Sequence, residues 1–595
     1  MPGGLLQLVA VGAQNELVNG NPSMTHFRSV FRRHTNFAME SIRMTFGGSN
    51  LEMSTTSTKT ISCRIDRYAN MLHDTYLVLT LPDIYSPLKY LGQGVVPPTG
   101  YDPTANAIGY EFEWVKNVGY NLIDHITITA NGQEIQRLSG EWLKMYSYLT
   151  HDTNKRNVVD QMIGNIPELY DPSSAYDRMG QYPHSVAPVS APGVGPNTLV
   201  PEPSIRSRQL IIPLHFWFCE NPGQSLPLDA LQNSDVYINI TYRPLEQIYT
   251  VIDVNPSSLT YGKRVRPTNY PLTLFLSPPK SDGTPSNPLL TTFFPDPFLE
   301  GNFIWLTDME KAAIAIADQT FLVKTVRYVN NPGQFGGNSD IELPFFNLVT
   351  RIVFATQRSD KILTNDWDNY TNWDNPYRAP FTTTNIDVKS PVTNSLITQN
   401  YLYSSGQQQV SSVYPRDPLV DGVLLLDGKE RFSQKPTGYF NLIQMYRHTT
   451  GDAPILPGVY QYSFALNNDQ YQPSGAINGS MFNKVTLRLT LQQPLPLASI
   501  PTGGNGGGTT APTVSVCILK STVFSPNPTV ITAAQRLLTK PDGTLLYPPS
   551  DLVTVVQNVN GDNAIFSYTY NLGVYVESVN FLRIVSGLAN FVFAN

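Results

Sequence analysis

Ile126-Thr-Ile-Thr-Ala-Asn-Gly-Gln-Glu134 alternates apolar and polar residues and then meets an Asn-Gly pair. Leu424-Leu-Leu-Asp-Gly-Lys-Glu430, in the second half of the chain, meets an Asp-Gly pair in the same way. Alternation with a period of two suits a strand with one buried and one wetter face. Asn-Gly and Asp-Gly supply the positive backbone angles of a tight hairpin turn. Each stretch therefore reads as a hairpin, and each precedes a short helical segment, with Trp142 in the first and Tyr439-Phe440 in the second. A second pair of matches follows in the same order. Phe218-x-x-Asn221 leads to Pro227-x-x-Ala230-Leu231, and Phe464-x-x-Asn467 leads to Pro473-x-x-Ala476-Ile477. The first half spaces its two matches more widely, as insertions there would. Either match alone could be chance, but two in one order point to a duplicated β domain, a whole domain and not a solenoid unit.

Working outward, strand-like runs dominate: Thr60–Arg64, Thr75–Leu81, Ile123–Ala130, Gln209–Cys219, Val236–Tyr242, Phe321–Val329, Leu348–Ala355, Gly458–Leu466, Val485–Leu491 and Thr513–Leu519. They are short, rich in β-branched and aromatic residues, and mostly bounded by Gly, Pro, Asn or Asp. Helical signals are few: Gly140–Leu149 after Ser139, Asn154–Ile163 after Thr153, and Gly438–Arg447 after Thr437. The fold class is all-β, with short helices. Long connections at 82–110, 170–207, 255–297, 365–416 and 498–512 read as functional or interaction surfaces.

The chain has 595 residues, with 40 Lys+Arg against 46 Asp+Glu and a net charge of −6. Two or three large β domains fit that length. Charged residues are only 14% of the total, so the surface is short of solvating charge, as a surface covered by partners would be. The negative balance excludes a nucleic-acid binder working through bulk positive charge. Cys63, Cys219 and Cys517 lie far apart, which suits folding in a reducing compartment. The amino terminus lacks Lys and Arg before Arg28, and no stretch approaches a membrane span, so a soluble protein made in the cytoplasm is expected.

Catalytic motifs are missing: no Walker A loop, GxGxxG, HExxH or GxSxG occurs. No enzyme activity, cofactor or metal is expected. His215, in an apolar run, reads as a satisfied core or interface residue. Asn365-Asp-Trp-Asp-Asn-Tyr-Thr-Asn-Trp-Asp-Asn-Pro-Tyr-Arg378 is the one local cluster with chemistry in it. Rings beside carboxylates can stack on sugars or hydrolyse glycosides, and Asp/Asn loops can hold calcium, although EF-hand spacing is absent. The preferred reading is a polar surface loop with Asx-turns and locally packed Trp rings. Arg28, Arg32, Arg33 and His34 form a small basic cluster that could meet nucleic acid or lipid; pairing with carboxylates of the same fold or a neighbour is preferred. Asn239, Asn369 and Asn478 begin N-glycosylation triplets, weak signals in a chain without a secretory leader.

The opening Gly3-Gly-Leu-Leu-Gln-Leu-Val-Ala-Val-Gly-Ala-Gln14, with Asn19-Gly-Asn-Pro22 and Phe31-Arg-Arg-His-Thr-Asn-Phe-Ala-Met-Glu-Ser-Ile42, closely resembles the start of the major capsid proteins of nucleocytoplasmic large DNA viruses. The phycodnavirus, iridovirus and mimivirus-like members are nearest. Leu122–Tyr146, Leu210–Leu231, Leu424–Gly475 and the tail from Val579 look like the same family in the right order, so the resemblance spans almost the whole chain. Two departures, Asn15 where relatives tend to have Asp and Asn478-Gly-Ser-Met481 in place of Asn-x-Ser-Arg, bear only on particular subunit contacts.

The resemblance implies a double jelly roll, two eight-stranded antiparallel β-sandwiches in one chain. The expected division is an arm over 1–27, a first jelly roll over 28–245, a linker or insertion over 246–301 and a second jelly roll over 302–595. It further implies a homotrimer forming pseudo-hexagonal capsomers that tile an icosahedral shell. The implied partners are further copies of the chain, neighbouring trimers, minor capsid and penton proteins, and an internal membrane beneath the shell, with no specific nucleic acid. The implied location is the virion, assembled in host cytoplasm. Two other readings stay open: a β-sandwich carbohydrate-binding or carbohydrate-active protein using Trp367 and Trp373, and a minor capsid protein of the same family.

Overall fold

A computed structural model describes residues 3–48, 51–86, 110–178, 180–185, 202–253, 264–265, 267, 271–278, 293–334, 336–359, 361, 365–372, 381–389, 396–403, 416–451, 457–492 and 569–593. Among the described residues, eight strands build the two main sheets of the first half: β1 (Phe37–Thr45), β2 (Lys59–Arg64), β3 (Met71–Leu81), β4 (Ile123–Ala130), β5 (Gln133–Ser139), β6 (Arg208–Pro213), β7 (Val236–Tyr242) and β8 (Phe298–Leu306). They pair antiparallel in two sheets, β1-β8-β3-β6 and β2-β7-β4-β5. The second half repeats the plan with β9 (Gln319–Gln334), β10 (Gly337–Leu343), β11 (Leu348–Arg358), β12 (Leu419–Leu426), β13 (Lys429–Glu430), β14 (Val459–Ser463), β15 (Val485–Leu491) and β16 (Tyr570–Val585). Its sheets run β9-β16-β11-β14 and β10-β15-β12-β13. Adding eight to each strand number of the first half reproduces the second. The fold is a double jelly roll, which packs two sheets face to face.

The internal repeat now has a structural address. Asn131-Gly132 turns between β4 and β5, and Asp427-Gly428 turns between the equivalent β12 and β13, with φ near 50° and then near 80° in both. Both central residues sit at positive φ, the requirement of a type I′ hairpin. Phe218 and Phe464 both follow the sixth strand of their sandwich. The wider spacing in the first half comes from the connection between β5 and β6.

That connection carries two eleven-residue helices and two shorter helical turns. Two short arm helices, α1 (Gly3–Val9) and α2 (Ala13–Asn19), precede β1. Then α3 (Gly140–Thr150) and α4 (Thr153–Ile163) fill the β5–β6 connection, and α5 (Asp308–Ile316) joins β8 to β9. Ser139 caps α3 as expected, its Oγ accepting from Trp142 N at 3.1 Å. Asp152, not Thr153, caps α4, its carboxylate accepting from Lys155 N at 2.7 Å. Thr437 does not cap the helical turn at 439–448, because its hydroxyl donates to the Leu419 and Val420 carbonyls. The run Gln209–Cys219 is not one strand: β6 ends at Pro213, and Trp217–Glu220 is a helical turn. The strand expected at 513–519 lies outside the described residues.

The expected linker at 246–301 is built into the first half at both ends. Tyr249–Asp253 pairs with Tyr110–Trp114, and β8 crosses the 301/302 boundary to lie between β1 and β3. Gly301 permits that placement, since a Cβ there would stand 2.8 Å from Met44 Cε and 2.9 Å from Leu72 Cδ1.

Strand β11 is buried on every residue after Leu348, and β16 is buried without a break from Val574 to Asn580. In an antiparallel sheet such a run means that both faces are covered. Ile352, Phe354, Val574 and Val576 point into the core of their own sandwich. Val353, Ala355 and Tyr575 join the core of the first half instead. The two jelly rolls therefore share a continuous apolar seam, and this seam positions the polar groups described next.

Candidate functional site

Helix α3 delivers Glu141, Trp142, Lys144 and Tyr146 from the first sandwich onto the β9-β16-β11-β14 sheet of the second. Trp142 packs on Tyr575 with ring centroids 5.3 Å apart. Residues 351 and 577 are paired in the β11–β16 ladder on the seam face. Fully buried Arg351 there donates from Nε to Glu577 Oε2 at 3.0 Å and from Nη1 to Asp469 Oδ1 at 3.1 Å. Its Nη2 also lies 2.8 Å from Glu577 Oε2, a contact of charge without hydrogen-bond alignment. Burial alone would lower the guanidinium pKa, but Glu577 and Asp469 reverse that and hold it charged. The guanidinium also faces the Trp142 and Tyr146 rings, 5.6 and 6.0 Å from their centroids.

Around this triad the sandwiches exchange further bonds. Tyr370 and Tyr575 both donate to Glu141, at 3.0 and 2.7 Å. Burial would raise the Glu141 pKa, yet Lys361, Lys144 and the Tyr575 hydroxyl outweigh it and hold the carboxyl below the ordinary glutamate range. Gln136 and Gln224 donate to the Lys324 and Leu322 carbonyls, each at 2.7 Å. Buried groups satisfied across a seam stabilise the joined state, because separating them exposes unpaired donors and acceptors.

The Trp/Asp loop beginning at Asn365 belongs to this seam. Trp367 Nε1 donates to Gln247 O at 2.7 Å, and Asn365 donates to the Glu246 and Tyr249 carbonyls at 2.6 and 2.8 Å. Asp368 takes Lys144 as its ion pair and accepts from Asn117 at 3.0 Å. The loop is a clasp between sandwiches and not the expected exposed polar loop, and Trp367 is not a free sugar platform. Trp373 lies outside the described residues. Among the described residues no three His, Cys, Asp or Glu side chains gather into a metal-binding group.

The glycosylation triplets are placed differently from one another. Asn239 lies in β7, accepting from Ser62 at 2.7 Å and donating to Thr127 at 3.3 Å. Asn369 is 5% exposed and accepts from both the amide and the hydroxyl of Thr371. Asn478 is exposed and accepts from Ser480 N at 3.1 Å.

His215 is half-buried beside the core, with its ring nitrogen partnered. Tyr120 Oη lies 3.2 Å from its Nε2, and its ring lies 5.5 Å from that of His151. Burial pushes His215 down to about 3, and burial followed by Lys155 pushes His151 down to about 4. Unfolded histidine titrates near 6.5, so between that pH and the folded values only the unfolded chain takes up protons. Stability is thus complete above about pH 6.5 and falls below it, by at most roughly 1.4 kcal/mol per pH unit for each histidine. The melting midpoint should drop between pH 7 and 5, and less steeply in His215→Gln. Equal slopes in the two proteins would remove His215 from this account.

Apolar surface is left uncovered elsewhere. Every described residue from 3 to 41 is exposed, including Leu17 at 90% and Phe27 at 101%. Among the described residues no carboxylate forms an ion pair with Arg28, Arg32 or Arg33. Helix α5 buries nothing and shows Met309 and Ile316 at 86% and 85%. Exposed apolar groups in such number mark interaction surfaces.

Comparison with known proteins fits this architecture. The family described as "Major capsid protein N-terminus" matches residues 25–272, and "Large eukaryotic DNA virus major capsid protein" matches residues 310–527. The chain belongs to the major capsid proteins of large eukaryotic DNA viruses. A major capsid protein of Phaeocystis pouchetii virus is 27% identical, the match covering 82% of this chain and 93% of that one. The probable capsid protein 4 of Acanthamoeba polyphaga mimivirus is 25% identical over 83% and 94% of the two chains. The crystal structure of PBCV-1 VP54 has the same fold, with a TM-score of 0.54 and 19% identity over 96% of this chain and 100% of that one. Within this capsid family, the seam is where sequence reasoning from local patterns missed most. The Asn365 loop shows why: residues 365–377 contain no Lys or Arg, and the ion-pair partner of Asp368 is Lys144, from the other sandwich.

Proposed function

We propose that this major capsid protein forms homotrimeric, pseudo-hexagonal capsomers that tile an icosahedral virus shell. The observation that carries the reading is the identical strand order of the two sandwiches. Three chains then bring six equivalent units around a threefold axis. Closure about such an axis needs a heterologous interface, with two different patches on each chain. Exposed α5, at the junction of the sandwiches, offers one apolar patch, and the arm offers an extended one. We assign the arm to 1–27, the first jelly roll to 28–306 and the second to the chain from β9 onward. The arm would tie neighbouring trimers, minor capsid or penton proteins, or an internal membrane, and assembly would take place in host cytoplasm. Of the three triplets, Asn478 is the one whose exposure would admit a glycan. The role is structural, without turnover.

The reading is tested by light scattering on a sizing column. The expected mass is three times the 66.1 kDa of the chain and does not fall on dilution. A monomer at working concentration would overturn the capsomer reading for the isolated protein.

A further inference from the structure

Two glutamines of the first sandwich close the seam on β9, the edge strand of its sheet. Gln136 Nε2 donates to Lys324 O and Gln224 Nε2 to Leu322 O, each at 2.7 Å, and both side chains are buried. An edge strand turns backbone N–H and C=O groups outward, and a seam that covers them must supply partners. Each glutamine has a counterpart in the internal repeat. Gln136 stands three residues before Ser139-Gly140, and Gln434 stands three before Thr437-Gly438. Gln224 stands three residues after Asn221, and Gln470 stands three after Asn467. Gln434 and Gln470 are both exposed.

The apolar contacts repeat in the same way. Met145-Tyr146 on α3 and Met445-Tyr446 on the helical turn at 439–448 follow those two glycines. Tyr146 is 8% exposed and faces Arg351 of the second sandwich, whereas Tyr446 is 90% exposed, with Leu442 and Ile443 also in solvent. The surface that Gln136, Gln224 and α3 cover has a counterpart too. Strand for strand, β1-β8-β3-β6 matches β9-β16-β11-β14, and β1 matches the edge strand β9. Phe321 and Val323 of β9 are buried in the core of the first half. Phe37 and Met39 of β1 are 49% and 55% exposed. Each chain therefore carries the glutamines and tyrosine of a second seam on one sandwich, and the edge strand to receive them on the other.

We infer that Gln434, Gln470 and Tyr446 of one copy dock on β1 of a second copy, repeating between chains the seam that joins the two sandwiches within one. The inference rests on the capsomer reading and names residues for the two different patches of its heterologous interface. The occupant is a second copy because the intrachain seam shows which surface this set of side chains takes, and the first sandwich exposes the counterpart of that surface. The glutamine amides would donate to the outward carbonyls of β1, and Tyr446 would cover apolar sheet surface beside it. Carried around a threefold axis, one relation then serves every contact between neighbouring sandwiches.

The test follows the mass of the full-length protein by light scattering on dilution. It compares the parent with Gln434→Glu/Gln470→Glu and with Gln181→Glu, which alters an exposed glutamine of the β5–β6 connection. A carboxylate cannot donate to a backbone carbonyl, so each change leaves an acceptor facing an acceptor. The double variant should dissociate at a concentration about tenfold or more above the parent, and Gln181→Glu at that of the parent. Cross-linking reads the position directly. Gln434→Cys combined with Met39→Cys should give covalent trimers with a short bismaleimide, whereas either single variant should run as the 66.1 kDa chain. A trimer that dissociates like the parent in the double glutamate variant, or that fails to cross-link in the double cysteine variant, would overturn the inference and leave the capsomer reading standing. A monomeric parent would overturn the capsomer reading, and the inference with it.

Discussion

Arg351→Ala is expected to cost about 3–5 kcal/mol of folding stability, among the largest losses available to one substitution in this chain. Asp469 and Glu577 are 4% and 1% exposed at their side chains, so removing the guanidinium strands two carboxylates in a dry seam. Forming such a buried cluster gains little over an apolar one, but breaking it by one partner leaves charge unpaired. The asymmetry yields a second expectation. Arg351→Met combined with Glu577→Gln and Asp469→Asn should recover much of the loss. Trp142, which faces the guanidinium, gives the fluorescence signal to follow in thermal or urea unfolding. A melting midpoint within about 1 °C of the parent would show that the triad contributes nothing.

Deleting residues 1–27 should have the opposite profile, with little effect on melting and a collapse of shell assembly. No described residue of this segment is buried, so its removal takes nothing from either core. Its leucines, valines and Phe27 stand in water in the isolated chain, and covering them is a favourable term available only on contact with a partner. Trimers should persist on a sizing column, while electron micrographs of assembly reactions should show no closed shells. Dissociation of the truncated trimers would move the arm from between capsomers to within them.

Much of this architecture was legible from local signals. The Asn131-Gly and Asp427-Gly turns, the alternating β4 and β15 and the Ser139 cap all lie where nearest-neighbour physics places them. The strands that close the first sandwich were not. In β1 the sequence Phe-Ala-Met-Glu-Ser-Ile-Arg-Met-Thr lies at a sheet edge and is mostly exposed, so its alternation carries little contrast. In β8, Glu300-Gly301-Asn302 interrupts the apolar run at a β-bulge, and only the Met44 and Leu72 side chains explain the glycine. The clasp at 365–372 looked like a surface because the ion-pair partner of its Asp368 is far away in the chain. Lys144 and Arg243, which meet it, are more than 100 residues away in the chain.

Two cores that meet on opposite faces of the same strands have a mechanical meaning. A protein with two separately packed domains can hinge between them, because only a thin interface has to slide. Here, bending at the middle would shear β11 and β16, whose two faces belong to different sandwiches, and would pull Tyr370 and Tyr575 off Glu141. The chain acts as a stiff plank. In any closed shell built from it, curvature must be taken up at the joints between planks, where the exposed arm and α5 lie, and faults of curvature should appear there first.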